Sequence, residues 1–407
     1  MRSGHVLASA CLLGGAIAAT HQENAPAYRD ELLSFLKDLV DIHSITGNEK
    51  QVGEFVIDYL TDLGYTAVNQ TLPPTERFDN LERFNVVAWR GGDKHRPKNP
   101  RLVVSSHIDT VPPYIPYSID DGEITSDTEI RGRGSVDDKS SLAAQVVAVE
   151  ELVRNKEINA EDVMLAFVVG EEVTGDGMRA FSNLVAAMDP PLGLEAGIFG
   201  EPTVNKLACG HKGHMACTIR ARGKAAHSGY PWLGKSANEV LVRAMMEIMS
   251  TEFDGSERFG NTTVNIGVLE GGVAANVVPQ DAVAKLAFRI ATGPQVGGQK
   301  AIIDKLDEIL KRVDPEALSA ECENGYGAVY CDCEVDGFET LIVNYGTDLP
   351  NFDGGEGFKK YLYGPGNIFV AHSDHEALKV GSIEKAVEDY KKLIKHVLGD
   401  SKSSVEL

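Results

Sequence analysis

Short apolar runs rich in β-branched residues recur along this chain, and three of them stop just before a histidine or a glutamate. Residues 85–89 read Asn-Val-Val-Ala-Trp, residues 102–105 read Leu-Val-Val-Ser, and residues 163–169 form another run. Such segments suit strands covered on both faces. Residues 140–154 read as a helix. Apolar residues at 32, 33, 35, 36, 39 and 40 mark an earlier helical stripe. A second helix starts after Asn48, turns Val52, Phe55, Val56, Tyr59 and Leu60 inward, and stops at Gly64. Helices alternating with buried strands imply an α/β fold with a mixed, mostly parallel sheet between helices. His107, Glu171 and Glu201 each follow an apolar run, which puts them at strand C-terminal ends. Open α/β sheets bind ligands there, so residues far apart in sequence converge in space.

Near residue 211 the pattern changes. Residues 214–222 alternate like a half-exposed strand, 236–250 form an apolar-striped helix, 262–269 and 282–290 are strands, and 298–313 is a helix. This order suits a small α+β insertion. A chain of 407 residues is too long for one modest core. The expected division is an export segment at 1–18, a catalytic domain at 19–210 and 321–407, and an inserted lid at 211–320.

The export segment rests on Met1-Arg2, an apolar stretch over 6–17, and Ala16-Ile17-Ala18 as a cleavage site. That stretch is too short to span a bilayer, and no later run reaches the roughly 18 apolar residues required, so no membrane partner is expected. Asn69-Gln-Thr71 and Asn261-Thr-Thr263 are glycosylation acceptors, in keeping with secretion. Removing Cys11 leaves five cysteines, hence at least one free thiol or an intermolecular bond. A bridge from Cys322 to Cys331 or Cys333 is expected, and Cys209 and Cys217 can pair across a turn. A formal net charge of -21 excludes nucleic acid as a partner, because phosphates would be repelled.

The motifs form an ordered series of nitrogen and oxygen donors without thiolates. They are His107-Ile-Asp109, Gly132-Arg-Gly134-Ser-Val-Asp137-Asp138-Lys139, Gly170-Glu171-Glu172, Gly200-Glu201-Pro-Thr and Ala371-His372 with Glu376. Such donors suit a hydrolytic zinc site with open positions. His107 offers an imidazole nitrogen, and the Asp109 carboxylate can accept its other N–H. Asp137 lies in a glycine-rich turn where a carboxylate can bridge two cations. Glu172, Glu201 and His372 complete two ligand shells, and Glu171 is left as the general base. His211, His214 and His375 read as structural or exposed rather than metal-bound.

In this order the motifs resemble the zinc amidohydrolase family of glutamate carboxypeptidase, aminoacylase, acetylornithine deacetylase and succinyl-diaminopimelate desuccinylase, over residues 30–398. The resemblance implies a zinc-exopeptidase-like catalytic domain with an inserted α+β lid and dimerisation domain, two Zn2+ ions per chain, and a cis peptide bond between Asp137 and Asp138. Gly223-Lys-Ala-Ala-His227 resembles the lid histidine that steadies the oxyanion in a partner's site, and so implies a homodimer through the lid. Residues 271–279, with Asn276, and Phe288-Arg289 resemble substrate-contacting segments. A bidentate Arg289 contact suits a free C-terminal carboxylate, and a lid carboxylate is the competing partner for that arginine. The expected function is a secreted zinc-dependent carboxypeptidase acting on short peptides or acyl-amino acids. Its alternatives are a deacylase of N-acyl amino acids and an inactive binding relative, which would have lost a ligand or the base.

Overall fold

The computed structural model describes residues 25–399; the expected export segment, with Cys11, lies outside them. A nine-stranded sheet runs in the order Thr66–Thr71, Phe84–Trp89, Val163–Val168, Leu102–His107, Ala196–Gly200, Lys359–Tyr363, Leu207–His211, Val329–Tyr330, and Thr340–Val343 also pairs with Leu207–His211. The four central strands are parallel, whereas the outer pairings on both sides are mostly antiparallel. The helices Arg29–Asp41, Lys50–Asp62, Lys139–Arg154 and Val380–Leu398 cover one face, against Val86, Leu102, Val104, Leu165, Phe167 and Ile198. Asp176–Ala186 covers the other, where Met178 and Phe181 meet Val103, Met164, Ala166 and Phe199. Burial on both faces explains the uninterrupted apolar runs. Each fully buried Val, Leu or Ile side chain stabilises by about 1.5–3 kcal/mol.

A second sheet orders Thr263–Gly271, Asp281–Ile290, Gly213–Arg222 and Leu318–Cys322, all antiparallel. Helices Ala237–Ser250 and Lys300–Val313 pack on one face, over Met215, Ile219, Leu286 and Phe288. The other face carries His214, Arg220, Lys285 and Arg289, which accounts for the alternation in the sequence. The sequence reading omits Leu318–Cys322, the fourth strand, and also the helix Asp176–Ala186. No described helix is long and apolar enough to cross a membrane.

The omitted strand matters for the disulfides. Cys217 and Cys322 are register partners on neighbouring strands and are bonded, and Cys209 is bonded to Cys333. The expected pairings of Cys322 with Cys331 or Cys333, and of Cys209 with Cys217, are therefore corrected. Strand register brings together cysteines 105 and 124 residues apart, whereas sequence proximity favours short loops. Cys331 is the free thiol. Burial pushes it up to about 12, which leaves it inert.

Candidate metal centre

Three central strands end side by side and deliver three of the site's elements. His107 closes Leu102–His107, the pair Glu171-Glu172 follows Val163–Val168, and Glu201 follows Ala196–Gly200. The turn ahead of helix Lys139–Arg154 brings Asp137, and the loop ahead of Ala377–Lys379 brings His372, whose backbone is left-handed at φ 63. The Asp137–Asp138 peptide bond is cis, as the resemblance implies. Asp137 stands between the two histidines. Its Oδ1 lies 3.0 Å from His107 Nε2, and its Oδ2 lies 3.2 Å from His372 Nε2. His372 Nε2 is also 3.0 Å from Glu172 Oε2. Donor atoms of His107, Asp137 and Glu172 lie within 4.8 Å of one another, as do those of His107, Glu171 and Glu201.

The role of Asp109 differs from the sequence expectation. His107 Nδ1 lies 3.0 Å from the Asp109 main-chain carbonyl but 3.6 Å from its carboxylate. A carbonyl only accepts, so Nδ1 carries the hydrogen and Nε2 is left to face the site. The carboxylate is engaged elsewhere. Oδ1 accepts from the Glu171 N–H at 3.2 Å; Oδ2 accepts from the Glu172 N–H at 3.3 Å and from Thr46 Oγ1 at 2.7 Å. Asp109 thus ties the histidine strand to the glutamate turn. Glu376 acts similarly on the Asp137 turn. Its buried Oε1 accepts from the N–H groups of Gly134, Val136 and Asp137 at 2.9–3.2 Å, while Oε2 pairs with Arg133.

The site concentrates negative charge away from water. Burial raises Glu201 and Glu171 well above the ordinary carboxylate range, and neighbouring carboxylates add to it. Burial and the Asp137 charge push Glu172 up to about 7. Hydrogen bonds to Asp137 and Glu172 push His372 up to about 10. Burial would raise Asp137 too, but the two histidines outweigh it and hold it low. The carboxylates of Glu171 and Glu201 have no hydrogen-bond donor or cationic partner among the described residues. Buried acids whose oxygens accept no hydrogen bond among the described residues, converging with two imidazole nitrogens, fit divalent cations.

A cleft of about 410 Å³ opens onto this cluster, and its walls join both sheets. The ends of the catalytic strands and their loops contribute Glu171, Glu172, Glu201 and His372 to its lining; the second sheet contributes Arg289 and His214, and the loop after Leu318–Cys322 contributes Tyr326. Arg289 has no ion-pair or hydrogen-bond partner among the described residues, so the competing lid carboxylate is not engaged. His227 and Asn276 are not part of this cleft. Both are exposed on the lid, adjacent through the His227–Val277 bridge and the Ser228 N–H bond to the Asn276 carbonyl. His375 is exposed and pairs with Asp374 rather than the cluster. His211 is buried against Thr347, as its structural reading implies. The sequence reading misses Tyr326, Thr347 and Asp348, which reach the site from irregular loops with no periodic signal.

Residues 209–317 match the peptidase dimerisation domain, and residues 85–193 match peptidase family M28. A peptidase M20 domain-containing protein of Sordaria macrospora is 53% identical, over 94% of this chain and 88% of that protein. A probable carboxypeptidase of Aspergillus niger is 43% identical, over 89% and 88%. Among solved structures, a tripeptidase from Staphylococcus aureus shares the fold with a TM-score of 0.74 at 22% identity, over 91% and 98% of the two chains. On the strength of the Sordaria relative, matched over nearly its whole length, this chain belongs to the M20 peptidase family.

Proposed function

We propose that this peptidase is a secreted, two-zinc carboxypeptidase that hydrolyses the last amide bond of short peptides. The observation that carries the reading is one cleft lined both by the acidic cluster and by the Arg289 guanidinium, which has no partner among the described residues. His107, Asp137, Glu172, Glu201 and His372 would hold the ions, with Asp137 between the two histidines. Zinc there supplies Lewis-acid polarisation of the scissile carbonyl and acidification of water. Glu171, beside the ligands and not needed among them, takes the proton from water and returns it to the leaving nitrogen. Asp109 fixes Glu171 through its backbone. Arg289 receives the terminal carboxylate in a bidentate contact.

His227 and Asn276 serve a second copy's cleft in this reading. They sit together on the lid, outside their own cleft, within the segment that matches the dimerisation domain. Asn69 and Asn261 are exposed and accessible to glycosylation, in keeping with export. Arg289 would hold an N-acyl amino acid equally well, so deacylation is the second reading. No ligand or base is missing, which argues against an inactive binding relative.

The test is a panel of N-blocked dipeptides and N-acetyl amino acids given to zinc-loaded and chelated protein. Dipeptides are expected to be cleaved faster, activity to vanish on chelation and return with zinc, and metal content to approach two per chain. Faster N-acetyl amino acids would establish deacylation. Full activity after exhaustive demetallation would end the mechanism.

A further inference from the structure

We propose that Tyr326 is a specificity-determining contact to the substrate's terminal carboxylate beside Arg289, and that position 346 is glycine to leave room for it. The inference rests on the carboxypeptidase reading and assigns its substrate selectivity to particular atoms.

Arg289 and Tyr326 are brought together by strand pairing. Arg289 is the register partner of His214, and the Tyr326 N–H donates to the His214 carbonyl at 3.0 Å. The two residues therefore flank one position of the lid sheet. Their side chains reach the same spot. A methyl group built on Gly346 would lie 2.6 Å from Tyr326 Oη and 3.7 Å from Arg289 Nη1. Gly346 is not among the glycines with positive φ, so space rather than backbone freedom demands glycine here. Neither Tyr326 Oη nor the Arg289 guanidinium has a hydrogen-bond partner among the described residues.

The tyrosine ring is held in place. It meets His211 edge-on, with ring centroids 6.2 Å apart and planes at 89°. His211 is fully buried, with Nδ1 on the Lys212 carbonyl at 2.8 Å and Nε2 on Thr347 Oγ1 at 3.0 Å. Burial pushes His211 down to about 4, so it stays neutral and adds no charge. Burial also raises the Tyr326 phenol above its usual range, which keeps the hydroxyl a donor. A phenol donor beside a guanidinium fork satisfies the two oxygens of a carboxylate. A terminal amide brings no charge, and although its NH2 can donate to the phenol oxygen and its carbonyl can accept from the guanidinium, both bonds are then weaker than those to a carboxylate.

The experiment uses zinc-loaded full-length protein, an N-blocked dipeptide, and the same dipeptide with a C-terminal amide. Tyr326→Phe keeps the ring and removes only a hydroxyl that has no hydrogen-bond partner among the described residues, so folding is preserved. For the free acid, KM is expected to rise roughly tenfold, as when one hydrogen bond to a charged group is lost, with kcat little changed. Amide kinetics should move less than acid kinetics, because the lost bond is then a neutral one, and Gly346→Ala should reproduce the acid-selective loss. Equal losses for acid and amide, or an intact acid preference, would overturn the proposal. Calorimetric titration of both ligands into zinc-loaded Glu171→Gln protein, with and without Tyr326→Phe, reads the subsite without turnover. If wild type cleaves neither ligand yet acid-selective binding depends on Tyr326, the subsite stands and the reaction assignment falls. If cleavage is acid-selective and Tyr326→Phe leaves it so, the reaction stands and the subsite falls.

Discussion

Asp109→Asn tests whether one buried carboxylate holds the two halves of the metal centre together. The side chain is fully buried and keeps its shape on substitution, so no cavity opens. One acceptor oxygen becomes an NH2 group. With the NH2 at the Oδ1 position, the Glu171 N–H loses its partner; at the Oδ2 position, the Glu172 N–H does. The Thr46 hydroxyl can rotate to accept, but a backbone N–H cannot turn away. Either flip therefore strands one partly buried donor, at up to about 1–3 kcal/mol. For a domain of this size that lowers Tm by about 2–10 °C. The larger effect is on catalysis, because the stranded donor belongs to Glu171 or its neighbour. A shift of about 1 Å in a reacting group costs about a hundredfold in rate. Differential scanning calorimetry and kcat/KM on an N-blocked dipeptide, with metal content measured in parallel, check both. An unchanged Tm together with kcat/KM within about twofold of wild type would refute the bracing role.

Three further outcomes are expected. Glu171→Gln should lose about 10²–10⁴ in kcat while retaining metal, and Glu172→Gln should lose metal; reversed phenotypes, read by metal analysis and steady-state kinetics, would exchange the two assignments. Chelated protein should lose Tm as pH rises through about 7, because Glu172, raised to about 7 by burial and the Asp137 charge, holds a proton that the unfolded chain releases nearer 4.5. That stabilising contribution is complete below the unfolded pKa and gone above the folded one. Bound cations replace the protons, so the Tm gap between loaded and chelated protein should widen with pH, and a narrowing gap would contradict it. Mixing Glu171→Ala chains with His227→Ala chains should regenerate activity from two nearly dead parents if His227 serves a partner's cleft; a fully active wild-type monomer in sedimentation would exclude that arrangement.

The catalytic half was legible because its chemistry is written in residue types at strand ends. Burial on both sheet faces forces uninterrupted apolar runs, and the next residue after such a run stands at the ligand-binding edge. That rule points to His107, Glu171 and Glu201, and their strands are immediate neighbours in the sheet. Roles were less legible than positions. Spacing placed Asp109 behind His107, but only the folded turn shows that its carboxylate serves the Glu171 and Glu172 N–H groups and leaves the histidine to a carbonyl. An H-x-D spacing permits either arrangement, since the carbonyl and the carboxylate of one residue are both within reach.

Tyr326, His211 and Gly346 were illegible for a different reason. The inserted segment leaves the catalytic sheet after Leu207–His211 and returns at Val329–Tyr330, and these two strands pair, with Gly210 opposite Tyr330 and His211 opposite Val329. Residues flanking the exit and the return are thereby pressed together, although more than one hundred positions separate them. The same closure explains why Cys209 finds Cys333 rather than a nearer thiol, since Cys331, whose N–H donates to the Cys209 carbonyl, directly follows the returning strand. A periodic pattern reports which face of an element is buried, and a motif reports which donors a metal can use. Neither encodes where an insertion closes upon itself. Yet that seam lines the same cleft as the acidic cluster, so the residues proposed to recognise a substrate's end belong to the part of the fold that local sequence describes least.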